Sequence, residues 1–212
     1  MIYGVVLTLL ILSLVAAIAL SAIEGTKKVK EVFNSLAKQH KGAVKKYSSD
    51  ISIPGKVRKS LFMAIFPYKE TNIYCYQDIV GGGKYGQTWT SASFYLKNST
   101  RIYLKILKNN PVLSISLMRN KTIQKSGNAP FDKEFIIECN DKKFMAELLT
   151  HDIKNELLVN KNIVSLGPAI EIKDNYFKAF YTEKGFVTLD KYNKLIDLAL
   201  RFYDRLKELE YL

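Results

Sequence analysis

At 212 residues the chain has room for one apolar segment, a connector and one ordinary domain. Its hydrophobic content of 48% suits a globular protein, but it is unevenly spread, and the formal net charge of +12 is concentrated in one stretch. No recognised nucleic-acid motif or interleaved aromatic platform accompanies that charge, so composition argues against a nucleic-acid-binding domain.

Ile2 to Ile23 carry no charge, and only Thr8, Ser13 and Ser21 interrupt the apolar run. As a helix this segment measures about 33 Å, enough to cross a hydrocarbon core of about 30 Å. A helix is the form such a segment takes in lipid, because the surroundings offer backbone groups no other partners. The competing reading is a cleaved secretory signal, with Ala17-Ile18-Ala19 or Ser21-Ala22 as the processing site. That reading lacks a basic leading region and needs a shorter apolar core, so a membrane anchor over residues 2–23 is expected.

The charge follows immediately. Residues 26–69 hold ten Lys and one Arg against Glu31 and Asp50, a balance of +9, while residues 70–212 amount to +4. Positive residues on the C-terminal side of a span orient it with the N-terminus outside and the following domain in the cytoplasm. Asn98-Ser99-Thr100 and Asn120-Lys121-Thr122 are formal glycosylation sequons that matter only in the reverse orientation.

Residues 24–70 are expected to form a basic juxtamembrane segment. Val29, Val32, Phe33, Leu36, Ala37 and Val44 recur at spacings near three and four, the mark of an amphipathic helix. Its apolar face would lie in the interface or pack on a neighbouring helix. Lys27, Lys28, Lys30, Phe33, Lys38, Lys41, Lys45 and Lys46 are the expected membrane-surface contacts, with anionic headgroups as partner. Val57 to Phe66 is a second apolar stretch, set between Pro54-Gly55 and Pro67. It is either a buried helix or strand entering the domain, or a contact for membrane or partner through Leu61, Phe62, Ile65 and Phe66.

From residue 71 to 212 the pattern is that of an α+β domain, with a second division near 119–133. Ile73 to Ile79, Gln87 to Leu96, Arg101 to Leu107 and Val112 to Met118 read as four strands of an antiparallel meander, separated by Gly81-Gly82-Gly83 and by Asn-rich turns. The glycine run is not a phosphate loop, because Lys84 is followed by Tyr85 and strand-like sequence instead of Ser or Thr and a helix. Glu134 to Cys139 reads as a strand, Asn140-Asp141 as the cap of a helix carrying Phe144, Met145, Leu148 and Leu149, and Thr150 as the cap of another. Ile163–Leu166, Ala169–Lys173 and Tyr176–Tyr181 follow as strands. From Thr188 a stripe of Tyr192, Leu195, Ile196, Ala199, Phe202, Tyr203 and Leu206 marks a long C-terminal helix covering one face of the sheet.

Little here suggests catalysis. His40 and His151, the two histidines, are read as solvated or capping, and no metal-ligand spacing or nucleophile elbow occurs. Cys75 and Cys139 sit among apolar neighbours, as buried free thiols do. Glu134, Glu138, Asp141, Glu147, Asp152 and Glu156 alternate with Lys in the manner of a solvated face. The expectation is therefore no catalytic, cofactor or metal site.

FDKEFIIECND, LLTHDIKNELL and the terminal ALRFYDRLKEL together resemble an uncharacterised group of prokaryotic single-pass membrane proteins, over residues 131–209. The resemblance implies a fold and an anchor but no chemistry. It assigns packing and capping roles to Phe131, Phe135, Asp141 and the Leu148-Leu149-Thr150 step. The functional expectation is a non-catalytic accessory or scaffold protein that presents an α+β domain to a membrane protein complex at the cytoplasmic face. The alternatives are an anionic-lipid surface binder and a membrane-tethered enzyme.

Overall fold

A computed structural model describes residues 24, 26–46, 62–80, 87–97, 101–109, 122–161, 168–183 and 188–212. The apolar run 2–23, residues 47–61 with Leu61 among them, the glycine run, the strands expected at 112–118 and 163–166, and Asn98 and Asn120 of the sequons lie outside the described residues. No helix among the described residues is long and apolar enough to cross a membrane.

The first element is a helix, α1 (residues 26–39), as its apolar spacing requires. It stops because Lys41 adopts a left-handed φ of 53° and the Gly42 amide donates back to the Ala37 carbonyl at 2.7 Å. Gly42 has a second reason to be glycine. A Cβ there would stand 2.3 Å from the Ile65 carbonyl oxygen and 2.5 Å from the Phe66 Cβ. The chain then enters strand β1 (Ala43–Lys46), so Val44, Lys45 and Lys46 are strand residues and not a continuation of the helical stripe.

β2 (Phe62–Tyr68) makes the described part of the second apolar stretch a strand. It runs through Pro67, beyond the expected break. β1 ends at Ala43 opposite Ile65, so on that side position 67 has no ladder partner to lose. Lys69, with a φ of 50°, and Glu70 turn the chain into β3 (Thr71–Val80), and β4 (Gln87–Tyr95) extends the meander. The expected boundary at 70/71 therefore falls inside a β-hairpin. Residues 26–46 and 62–70 thus supply α1, β1 and β2 to the same body as the rest.

The expected adjacency of the second and third meander strands does not occur. After β4 the chain leaves its neighbour, and β5 (Leu104–Lys108) pairs with β7 (Phe135–Cys139) and β8 (Pro168–Lys173). The hairpin of β8 and β9 (Tyr176–Glu183) fills the gap, with β9 lying along β4. β6 (Ile123–Gln124), not anticipated, closes the far edge. Among the described residues the result is one nine-stranded antiparallel sheet in the order β1-β2-β3-β4-β9-β8-β5-β7-β6.

The helices pack on one face. α2 (Ala129–Glu134), also unexpected, is capped by Asn128, whose side chain accepts from the Phe131 amide at 3.1 Å. It carries Phe131 onto Phe135, ring centroids 4.8 Å apart. α3 (Lys142–Leu148) is capped by Asp141 and α4 (His151–Asn160) by Thr150, as their sequences indicate. α5 (Leu189–Glu208) crosses β4 and β9 with its apolar stripe fully buried. Beneath it Ala92 pairs with Ala179, and Phe94 stacks on Phe177 at 4.7 Å. Phe94 also meets Tyr203 at 5.3 Å, and Phe177 meets Phe202 at 5.1 Å. Each such side chain contributes about 1.5–3 kcal/mol of burial, so this layer is the main source of cohesion.

Candidate functional site

The basic surface is built by α1 and β1 together. Lys27, Lys28, Lys30, Lys38, Lys41, Lys45 and Lys46 are all exposed. The apolar side of α1 is used up internally. Phe33 is 1% exposed and Leu36 is fully buried, both within the core that α5 and the sheet share. Phe33 meets Tyr192 of α5 edge-on at 5.5 Å, and Gln39 accepts from the Asn193 side chain at 3.3 Å. Phe33 is thus removed from the expected membrane-surface set: its ring points into the domain, while the lysines around it point out.

The second expected contact group divides in the same way. Phe66 is 2% exposed and stacked at 4.5 Å by His40, which so becomes a packing residue at the end of α1. Alternation along β2 sets Phe66 on the helix-covered face and Ile65 on the other, where it packs with Met63, Tyr74 and Tyr76. Phe62 is half-buried beneath the Lys30 ammonium, 5.8 Å from its ring centroid. Ile65 and Phe62 retain some exposure and Phe66 does not.

Four of the carboxylates noted in the sequence are held by separate partners. Glu134 pairs with Lys161 at 2.8 Å, and Glu138 accepts from the Tyr103 hydroxyl at 3.1 Å. Asp141 caps α3, and Glu156 meets Arg201 at 3.6 Å. The Lys161 hydrogen bond holds the Glu134 carboxyl below the usual glutamate range. Burial, with Glu138 and Glu171 nearby, pushes the Tyr103 hydroxyl up. His151 is exposed and 2.8 Å from the Asn155 side-chain amide. Cys75 and Cys139 are free and buried. Among the described residues no group of three or more His, Cys, Asp or Glu is placed to hold a metal ion.

A different cluster lies on the sheet face turned away from α5. Trp89, Ser91 and Ser93 alternate along β4 onto that face, and register places Thr182, Phe180 and Lys178 of β9 opposite them. Lys178 is 1% exposed, and its ammonium lies 5.5, 5.4 and 5.3 Å from the ring centroids of Tyr76, Trp89 and Phe180. Such a box favours a cation through the ring quadrupoles. Ser91 and Ser93 are fully buried, and their hydroxyls, like the Trp89 indole N–H, have no hydrogen-bond partner among the described residues. Sequence reasoning missed this group because serine and lysine alternating with Ala92, Phe94, Phe177 and Ala179 look like the solvated side of a strand. The only available hint was that aromatics and polar residues share that side.

No family model matches the chain, and no curated protein matches it. Among solved structures, the fold is similar to the crystal structure of the mycobacterial trehalose monomycolate transport factor A, TtfA. The TM-score is 0.57 at 10% sequence identity, over 84% of this chain and 94% of that one, which makes the likeness one of fold.

Proposed function

We propose that this chain is a non-catalytic accessory protein of a membrane assembly. Residues 2–23 anchor it, the lysines of α1 and β1 rest against anionic headgroups on the cytoplasmic side, and the rest of the domain is presented to a protein partner. The observation that carries this reading is the way α1 is built in. Phe33 and Leu36 tie the helix to the domain core while seven lysines stay exposed on α1, its end and β1. The segment directly after the apolar run is therefore a fixed part of the domain and not a loose tether.

Each Lys close to an anionic surface contributes roughly 1 kcal/mol, screened over a Debye length of about 10 Å at 0.1 M salt. Exposed Glu24 and Glu31 offset part of this. The attraction fixes an orientation more than it supplies a membrane affinity, which the apolar segment already provides. Similarity to a protein described as a transport factor supports an accessory role, at the level of fold.

The test is affinity purification of the full chain from gently solubilised membranes after mild crosslinking. Recovery with a defined membrane protein supports the proposal. Recovery as an isolated monomer under the same conditions contradicts it and favours the lipid-surface reading.

A further inference from the structure

The buried cluster on β4 and β9 is independent of the membrane reading and has no role in it. Three buried hydrogen-bond donors without partners are costly, at about 1–3 kcal/mol each, and call for something that accepts from them. Trp89, Ser91 and Ser93 stand at alternate positions of one strand and face one way. A strand rises about 3.3 Å per residue, which sets the Cα atoms of Ser91 and Ser93 about 7 Å apart. Two O–H···O bonds of about 2.7 Å to the two oxygens of one carboxylate or phosphate group span that spacing. The Lys178 ammonium, among the rings of Tyr76, Trp89 and Phe180, brings positive charge to the same place.

We propose that this cluster binds an anionic oxygen group, a carboxylate or a phosphate, bridged by the Ser91 and Ser93 hydroxyls and assisted by the Trp89 indole N–H and Lys178. Two acidic residues stand in backbone register with the cluster: Glu171 is paired with Lys178, on the side away from Ser93, and Asp78 is paired with Trp89. Affinity therefore comes from the donated hydrogen bonds as much as from charge, and the serines are the residues to test.

Trp89 is the only tryptophan in the chain, so its emission reports on the site itself. The full chain in nanodiscs of neutral phosphatidylcholine is titrated with inorganic phosphate, sodium octanoate and octyl phosphate. A saturable change in Trp89 emission is expected, weakened about tenfold by Ser91→Ala or Ser93→Ala and more by both. The melting temperature of these variants should be unchanged or raised, since each removes an unpaired hydroxyl. A response to inorganic phosphate identifies a free anion as a sufficient ligand. A response confined to the two alkyl compounds identifies the headgroup of an amphiphile. No saturable response to any of the three, or one that the double variant leaves intact, overturns the proposal and assigns the serines to internal water.

Discussion

Replacing Phe33 by Ala should destabilise the whole domain, although residue 33 lies in the segment that charge alone would assign to the membrane surface. Its ring is 1% exposed and packs edge-on against Tyr192, in the core that contains Leu36, Phe66 and the stripe of α5. Truncating a buried phenylalanine typically costs about 3–5 kcal/mol, a large share of the roughly 5–15 kcal/mol that holds a domain together. With a urea dependence of about 2 kcal/mol per molar, the unfolding midpoint should fall by about 2 M. Trp89 on β4 reports the transition, two strands away from β2, so a fall in its midpoint measures cooperative loss of the sheet. Exposed Lys27→Ala is the control and should stay within about 0.5 kcal/mol of the parent. A Phe33→Ala midpoint within about 0.5 M of the parent would refute the reasoning, because it would mean that α1 is not part of the folded core.

Gly42→Ala should cost more than an ordinary glycine replacement, about 2 kcal/mol or more, since the added Cβ meets the Ile65 carbonyl and Phe66 backbone-proximal atoms; thermal melting of the full chain checks this. Asp141→Ala removes the cap that accepts from the Phe144 amide at 3.0 Å and should cost about 1 kcal/mol in the same assay, with Asp141→Asn recovering most of it. The Glu134 carboxyl is held below its ordinary range by Lys161, so its contribution to stability is complete above the unfolded glutamate pKa and is lost as pH falls through the lowered folded value. Lys161→Met should remove that part of the acid dependence, read as a flatter plot of unfolding midpoint against pH below the ordinary glutamate range.

Local patterns were legible in the sequence where one side of an element meets the core. The stripe of α5, the caps Asp141 and Thr150, and the strands at β3, β4 and β9 follow from periodicities of 3.6 and 2 and from capping chemistry. What escaped was non-local. Nothing in residues 101–107 indicates that β5 lies between β8 and β7 instead of beside β4, because pairing depends on which faces match after the chain has crossed the sheet. The stripe through Val44 was over-extended, since the left-handed turn at Lys41 interrupts it and Lys41 is not a residue that announces such a turn. The basic face is legible, but the sequence leaves the apolar side of the helix open between the interface and a neighbouring helix, and the stretch to Phe66 open between core and contact; only three-dimensional packing shows Phe33 and Phe66 facing inward. The Ser91, Ser93 and Lys178 cluster was invisible for the opposite reason: its residues are ordinary surface types, and their burial is decided by neighbours distant in sequence.

The central claim is that the α1–β1 end of the domain faces the bilayer while the opposite end is held away from it. β1 is one edge of the nine-stranded sheet, and α4 packs toward the other end through the Lys161–Glu134 pair beside β7. Strands are about 4.8 Å apart, so several strand widths, some tens of ångströms, separate the two ends. Single fluorophores placed at Lys38 on α1 and at Val159 on α4, which is 80% exposed, can be compared in anionic nanodiscs carrying a quencher on the lipid headgroups. The account predicts strong quenching at position 38, relieved in part by salt, and weak quenching at position 159. Equal quenching at the two positions, or stronger quenching at 159, would contradict it.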